Sequence, residues 1–176
     1  CTAVALVFRF LRQYYSNLDT YIPDRYKEGY GISRAGVDYA AETGVRLVIV
    51  LDCGIKAVEE IAYARSLGID FIICDHHVPG IELPPAVAIL NPKRQDNHPY
   101  AHLSGCGVGF KFMQAFAISN GIEFNKLVPL LDLCAVSIAA DIVPIMGENR
   151  ILAWHGLRCL NTNPSIGLQA IIEVCG

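Results

Sequence analysis

The chain has 176 residues, of which 53% are hydrophobic, and its formal net charge is −3. This length and composition suit one domain with a sizeable core. The net charge excludes a global basic field for nucleic acid, although not a local groove. No apolar run reaches the roughly 18 residues of a membrane span, and no basic segment precedes the apolar start as in a signal peptide. We therefore expect a globular domain that does not associate with membranes.

Seven cysteines are scattered along the chain without a CxxC pair. Most of them stand in apolar segments. An odd, unpatterned set of this kind is typical of reduced core thiols, rather than of a disulfide framework or a zinc site. We therefore expect free thiols and a cytoplasmic location.

The first half of the chain alternates helical segments with apolar strands. Helical spacing of apolar residues predicts the helices, and Ser33 and Gly44 are suited to cap the second of them. The β-branched run that ends at Asp52 has no polar alternation, which is typical of a strand buried on both faces. The predicted order is helix 1–15, helix 33–44, strand 45–52, helix 57–68, strand 69–75 and strand 86–91.

The second half, after residue 105, is predicted to be helical. Gly, Pro and Asn residues separate its apolar segments, which favours helices at 107–120, 126–143, 149–160 and 167–174. Helices that alternate with buried strands indicate a parallel sheet that is covered on both faces. We therefore predict an α/β fold in one domain, with a parallel sheet, helices on both faces and a helical C-terminal half.

Three predicted strands end in polar residues. Asp52 stands at the end of the first, Asp75, His76 and His77 at the end of the second, and Asn91 at the end of the third. Because function collects at the carboxyl ends of parallel strands, these side chains are expected to converge. Carboxylates and imidazoles together favour a divalent metal site. The alternatives are that Asp52 caps a helix and that the histidines are ordinary loop residues.

A further carboxylate, Asp141, stands in the apolar segment AVSIAADIVPI. A lone buried aspartate is costly unless it is paired or binds a cation, so Asp141 is a second candidate metal ligand. The alternative is a residue at a helix end that is hydrogen-bonded to the backbone. Asp132 lies on the same predicted helix but points elsewhere along the axis, and we do not assign it to the site.

A glycine-rich turn, SGCGVGFK, precedes a predicted helix. Ser104 is suited to cap this helix, Gly105 and Gly107 would let backbone N–H groups face an anion, and Lys111 adds a positive charge. The alternative is tight packing at the helix start. The pattern does not match a P-loop.

The segment IPDRYKEGYG combines cations with aromatic rings. Arg25 and Lys27 stand beside Tyr26 and Tyr30, a combination that suits phosphate contact and base stacking. The alternative is a solvated surface loop.

Six motifs occur in a fixed order along the chain: IPDRYKEGYG, LVIVLDCG, ICDHH, NPKR, SGCGVGFK and AADIVPIMGENR. Together they resemble the DHH phosphoesterase superfamily, and within it the RecJ-type exonucleases that are specific for single-stranded DNA. The resemblance covers essentially the whole chain and implies a metal-dependent 5′-to-3′ exonuclease of DNA recombination and repair that uses two Mn²⁺ or Mg²⁺ ions.

The resemblance also implies roles for individual residues. Asp52 would bridge the two ions, and His76 and Asp141 would be further ligands. His77 would face the scissile phosphate as a hydrogen-bond donor or acid, and Asp75 would orient an imidazole.

The resemblance extends to the substrate and to partner proteins. Arg25 and the glycine-rich turn with Ser104, Gly105, Gly107 and Lys111 would contact phosphates of single-stranded DNA. A single-strand-binding protein and a RecQ-type helicase are the partners that the family suggests.

The chain departs from the family pattern at both ends. In the family, a helix like its first one directly follows a strand with an Asp-rich motif of the form DYDxDG, and this chain lacks that motif. We expect residues 1–176 to be a partial DHH phosphoesterase domain, without the first strand and without the C-terminal DHHA1-type domain. Alone, it is expected to be inactive and to bind one ion weakly through Asp52, His76 and Asp141.

Two alternative functions stay open. One is a small-nucleotide phosphatase or nanoRNase of the same superfamily. The other is a non-catalytic DHH-family protein that binds partners at replication forks, a class marked by the loss of metal ligands.

Overall fold

The computed structural model describes residues 1–94 and 99–175. Among these residues, the first half contains three strands and three helices, and the second half is helical. The strands are β1 (Leu47–Leu51), β2 (Asp70–Cys74) and β3 (Ala88–Leu90). The α-helices are α1 (Thr2–Leu11), α2 (Arg34–Glu42), α3 (Val58–Ser66), α4 (Gly105–Ser119), α5 (Leu131–Ala140), α6 (Gly147–Thr162) and α7 (Ile166–Cys175).

The three strands form one parallel sheet in the order β1-β2-β3. Leu51 pairs with Cys74, and Cys74 pairs with Leu90, so the carboxyl ends of the strands lie level. The pairing continues one residue further, because Asp52 donates its N–H to the Cys74 carbonyl at 2.8 Å and Asp75 donates to the Leu90 carbonyl at 3.0 Å. The register therefore fixes the backbone of both acidic residues at one edge of the sheet.

Each face of the sheet packs against its own helices. Alternate strand residues point to opposite faces: Ile49, Leu51, Ile72 and Cys74 contact the core that includes α1, α4 and α5, and Val50, Phe71 and Ile73 pack with α2 and α3. The predicted α/β fold, with a parallel sheet and helices on both faces, is confirmed.

Strand β1 departs from the prediction that it is buried on both faces. Only Val50 of its five residues is fully buried, and Leu47 is 49% exposed. The reason is its position, because β1 lies at an edge of the sheet and, among the described residues, pairs only with β2. Strand β2, in the centre, is buried at Phe71, Ile73 and Cys74.

The single helix predicted at 126–143 is also wrong. Two short 3₁₀ turns, Phe124–Lys126 and Val128–Leu130, precede α5, which ends at Ala140. Pro129 has no N–H to donate to a continuous helix, so the chain turns before α5 starts. Asp132, which the sequence analysis left out of the site, is fully buried and accepts N–H groups of Leu133 and Ser165 at 2.7 Å each. Its role is to join α5 to the segment before α7.

The seven cysteines are free thiols, as predicted, and three of them are fully buried: Cys74, Cys106 and Cys134. Burial raises the pKa of the Cys74 thiol to about 12, which keeps it protonated and unreactive. None of the described helices is both long enough and apolar enough to cross a bilayer.

Candidate metal centre

Asp52, His76 and His77 meet at the carboxyl ends of β1 and β2. One potential ligand atom from each residue lies within 4.8 Å of the other two. His76 Nε2 is 3.3 Å from Asp52 Oδ1, and the two imidazole rings lie 4.6 Å apart between centroids. One carboxylate and two imidazoles at this spacing form a donor set that suits a divalent transition metal.

Asp52 is held in an uncommon backbone conformation at the end of β1. Its φ is +66°, in the left-handed region that aspartate tolerates better than most residues. Gly105, the first residue of α4, packs directly against its side chain. A Cβ on Gly105 would lie 1.8 Å from Asp52 Oδ1 and 2.2 Å from its Cγ. The carboxylate therefore occupies space that only a glycine at position 105 leaves free.

Asp75 does not face the metal position directly but organises the loop around it. The residue is 1% exposed. Its Oδ1 accepts the N–H groups of His76 at 2.7 Å and His77 at 3.2 Å, and its Oδ2 accepts the N–H of Ile55 at 3.0 Å. Its Oδ1 also lies 2.6 Å from His77 Nδ1. This geometry is that of a carboxylate that orients an imidazole.

The ring of His76 is oriented by a backbone carbonyl. Its Nδ1 lies 3.0 Å from the oxygen of Leu103, and because a carbonyl only accepts, Nδ1 carries the proton. In the neutral ring, the lone pair is then on Nε2, which faces Asp52. The hydrogen bond to Asp52 raises the pKa of His76 against the opposing effect of burial, and the charges of Asp52 and Asp141 raise it further.

This shift predicts the pH dependence of metal binding. A metal at His76 must displace the Nε2 proton, whose pKa lies above its ordinary value of 6.5. The apparent Mn²⁺ affinity is therefore expected to fall by up to about tenfold per pH unit below that raised pKa, and to level off above it. Calorimetry in two buffers of different ionisation enthalpy would reveal the released proton. An affinity that stays constant between about pH 6 and 8 would contradict this assignment.

His77 presents its other ring nitrogen outward. Its side chain is 46% exposed, and Nδ1 is engaged by Asp75. The proton on Nδ1 leaves Nε2 available at the rim of the cluster. The residue is therefore placed both to join the ligand set and to reach a molecule bound above it.

The structure corrects the environment predicted for Asp141. This residue is exposed, not buried, because α5 ends at Ala140 and Asp141 follows it as the C-cap. Its Oδ2 accepts the hydroxyl of Ser137 at 3.2 Å. Asp141 lies outside the compact ligand group, although its charge contributes to the raised pKa of His76. Its role as a ligand stays a prediction.

The glycine-rich turn is packed into the interior. Ser104 is fully buried and caps α4 by accepting the N–H of Gly107 at 3.1 Å, and Gly105 and Gly107 are buried with it. Lys111 forms a 3.1 Å ion pair with Glu148. These contacts match the packing alternative, so phosphate contact by Ser104, Gly105, Gly107 and Lys111 stays a prediction.

The loop with Arg25 lies next to the cluster. The guanidinium of Arg25 is 5.5 Å from the ring centroid of Tyr30. Burial, and then the nearby charges of Asp52 and Asp75, raise the pKa of Tyr30. Glu28 holds the loop together by accepting the hydroxyls of Tyr21 and Ser33, each at 2.6 Å, and the N–H of Asp24 at 2.9 Å.

Three supporting groups escaped the sequence analysis. The Leu103 carbonyl and the Ile55 N–H are backbone groups, which side-chain patterns do not reveal. Glu28 belongs to the motif IPDRYKEGYG, and its position between Tyr26 and Tyr30 could have marked it as a residue that holds this loop.

The chain was compared with families and with known proteins. Residues 1–138 match the model of the DHH family, N-terminal domain. The single-stranded-DNA-specific exonuclease RecJ of Bacillus subtilis is 40% identical over 176 residues, which cover 99% of this chain and 22% of that protein. RecJ of Escherichia coli is 39% identical over 170 residues, which cover 90% of this chain and 30% of that protein. The chain thus spans less than a third of these relatives.

Solved structures agree with this result. A crystal structure of exonuclease RecJ bound to manganese matches 99% of this chain and 44% of its own, with a TM-score of 0.89 and 30% identity. RecJ of Thermus thermophilus in complex with Mn²⁺ matches 99% of this chain and 25% of its own, with a TM-score of 0.84 and 27% identity. The resemblance predicted from the six motifs is confirmed, and the chain belongs to the DHH family.

Proposed function

We propose that this chain is the metal-binding core of a metal-dependent exonuclease that hydrolyses phosphodiester bonds of single-stranded DNA from the 5′ end. The observation that carries the proposal is the convergence of Asp52, His76 and His77 at one edge of the sheet. The similarity to RecJ proteins, which are named single-stranded-DNA-specific exonucleases, supports the reaction and the substrate. A role in recombination and repair follows from the same similarity.

The donor set fits Mn²⁺ or Mg²⁺, the ions found in the solved RecJ structures. Asp52 and His76 would hold an ion, and Asp141 would be a further ligand. Because Mg²⁺ prefers oxygen ligands and two imidazoles are present, Mn²⁺ is expected to bind more tightly. When bound, such ions activate the attacking water and offset the charge on the leaving oxygen.

The remaining residues would bind the DNA strand and orient its scissile phosphate. Asp75 fixes the ring of His77, which would donate from Nε2 to the scissile phosphate when both ring nitrogens carry a proton. Arg25 would contact a phosphate of the strand, and Tyr30 would stack on a base. Lys111 and the start of α4, from Ser104 to Gly107, would add positive potential behind the phosphate.

A further strand is part of this proposal. A cavity of about 510 Å³ runs along the edge of β1 that is unpaired among the described residues, and it is also lined by α1, α2 and parts of the segment between these helices. The five residues of β1 are all apolar, yet natural edge strands are protected by charges, bulges or a covering segment. We propose that a preceding strand, with the Asp-rich motif, pairs with β1 in a longer protein, and that a C-terminal DHHA1-type domain closes the cleft.

The cellular setting is proposed from the same grounds. Seven free cysteines suit the reducing cytoplasm. Single-stranded DNA is the proposed partner, and a single-strand-binding protein and a RecQ-type helicase would act with the complete enzyme.

Calorimetry with Mn²⁺ tests the metal site. We expect one saturable binding event that is lost in both Asp52→Ala and His76→Ala, since each removes a ligand. His155→Ala is the matched control, because His155 is exposed on α6, apart from the ligand cluster. Unchanged Mn²⁺ binding in Asp52→Ala would contradict the proposal that Asp52 is a metal ligand.

Digestion assays test which substrate is hydrolysed. They use a longer form of the chain that carries the proposed first strand and the DHHA1-type domain. We expect release of mononucleotides from a long single strand, and loss of this activity in His77→Ala. Hydrolysis restricted to dinucleotides would favour the small-nucleotide phosphatase instead. Metal binding without any hydrolysis would favour a non-catalytic partner protein.

A further inference from the structure

A basic cavity lies at the far end of α1 from the metal centre. It measures about 710 Å³ and is lined by two segments, residues 8–13 and residues 125–130. The lining includes Arg9, Arg12 and Lys126, and no acidic side chain belongs to it among the described residues. Phe8 and Leu130 contribute apolar surface below these cations.

The three cations have no ionic partner in the part of the chain that the structure describes. Within residues 1–94 and 99–175, no carboxylate lies at ion-pair distance from Arg9, Arg12 or Lys126. The Arg12 guanidinium instead packs 5.3 Å from the centroid of the Phe8 ring, which fixes its position above the surface. In a chain with a net charge of −3, three cations without an ionic partner among the described residues concentrate positive charge in one concave site, which suits an anionic ligand.

Exposed aromatic rings continue from this site. Tyr14 and Tyr15 directly follow Gln13, which lines the cavity, and they are 42% and 52% exposed. Both are held by ring contacts, Tyr14 to Phe10 at 5.4 Å and Tyr15 to Phe116 at 6.2 Å. Positive charge beside ordered, exposed rings is the combination that binds single-stranded nucleic acid through its phosphates and bases.

We propose that this basic cavity, with Tyr14 and Tyr15, is a second contact site for single-stranded DNA. Arg9 lies in the last turn of α1 and Arg12 is the C-cap of this helix, so their Cβ atoms are about 5 Å apart. Both would hold neighbouring phosphates together with Lys126. Gly105, at the start of α4, packs on Asp52, whereas Phe10, near the end of α1, packs on Phe116, eleven residues further along α4. This site therefore lies about 16 Å from the metal centre. The strand would thus be held away from the scissile bond. The choice of DNA as the ligand rests on the proposed function.

Fluorescence anisotropy with labelled oligo-dT, in EDTA, tests the site without catalysis. The triple variant Arg9→Ala, Arg12→Ala, Lys126→Ala is expected to bind an oligonucleotide of about 16 nucleotides roughly 10- to 100-fold more weakly at about 0.1 M salt. The slope of log affinity against log salt should fall in magnitude by about 2, since each lost phosphate contact removes about 0.7. The control triple variant Arg34→Ala, Arg65→Ala, Arg158→Ala has the same net charge, and none of its positions lines the cavity.

The outcomes separate this proposal from the proposed function. Equal affinity and equal salt slope in the two triple variants would overturn the second site. Loss of binding to an oligo-glutamate peptide, with DNA binding unchanged, would also overturn it and assign the cavity to an acidic protein. Mn²⁺ calorimetry on the same variant should match the unmodified chain. If Mn²⁺ does not bind even the unmodified chain while oligonucleotide binding depends on the three cations, the metal site fails and the second site stands.

Discussion

Gly105→Ala is expected to abolish Mn²⁺ binding, although the substitution adds only one methyl group. The new Cβ would lie 1.8 Å from Asp52 Oδ1 and 2.7 Å from Asp52 Cβ, far inside van der Waals contact. Asp52 has little freedom to move, because its N–H is bonded to the Cys74 carbonyl at the end of the sheet. Its carboxylate must therefore rotate away from His76, or the start of α4 must shift. Mn²⁺ calorimetry measures the loss directly.

Gly109→Ala, one turn further along α4, is the matched control. Its Cβ would meet Val7 and Leu51 at 3.4 and 3.5 Å, at the edge of ordinary contact, so metal binding should survive. The double variant Asp52→Gly, Gly105→Ala tests the mechanism, since removing the carboxylate removes the clash. Its thermal stability should exceed that of Gly105→Ala alone, while metal binding stays absent. Normal Mn²⁺ affinity in Gly105→Ala would show that the close contact is unimportant.

Asp75→Ala is expected to lower the free energy of unfolding by roughly 3 to 5 kcal/mol at neutral pH. The buried carboxylate accepts three backbone N–H groups, from Ile55, His76 and His77, and contacts the His77 ring. Alanine leaves these donors without an acceptor in a site that is 1% exposed at Asp75. Urea denaturation followed by circular dichroism measures the change.

Asp70→Ala is the control for Asp75, because Asp70 begins the same strand and is exposed. It should change stability by less than about 0.5 kcal/mol. Asp75→Asn keeps one accepting oxygen, so its free energy of unfolding should lie between those of the two alanine variants. If both alanine variants unfold at the same urea concentration, the hydrogen bonds of Asp75 contribute little to the fold.

The sequence predicted the features that depend on strand order. Uninterrupted apolar runs identified β1 and β2, and the parallel arrangement then required Asp52 to approach His76 and His77. The exposure of Asp141 was not predictable in the same way. Apolar neighbours in sequence suggested a buried carboxylate, but α5 ends at Ala140, which leaves Asp141 on the surface.

The contact between Asp52 and Gly105 was missed for a related reason. Glycines before a helix suggested an anion-binding turn, and the pattern contains no information about which side chain fills the space beside them. Only the packing of α4 against the ends of β1 and β2 reveals that the occupant is a carboxylate of the same chain.

The fit of Asp52 against Gly105 also constrains how this sequence changes in evolution. A lineage cannot acquire a side chain at position 105 while it keeps the aspartate in this place, so the glycine is under selection only as long as the carboxylate is needed. Relatives that have given up metal chemistry are released from both requirements together. Joint loss of the two residues in a set of aligned sequences would therefore mark the branches where catalysis has ended, and a glycine retained without the aspartate would mark a recent loss.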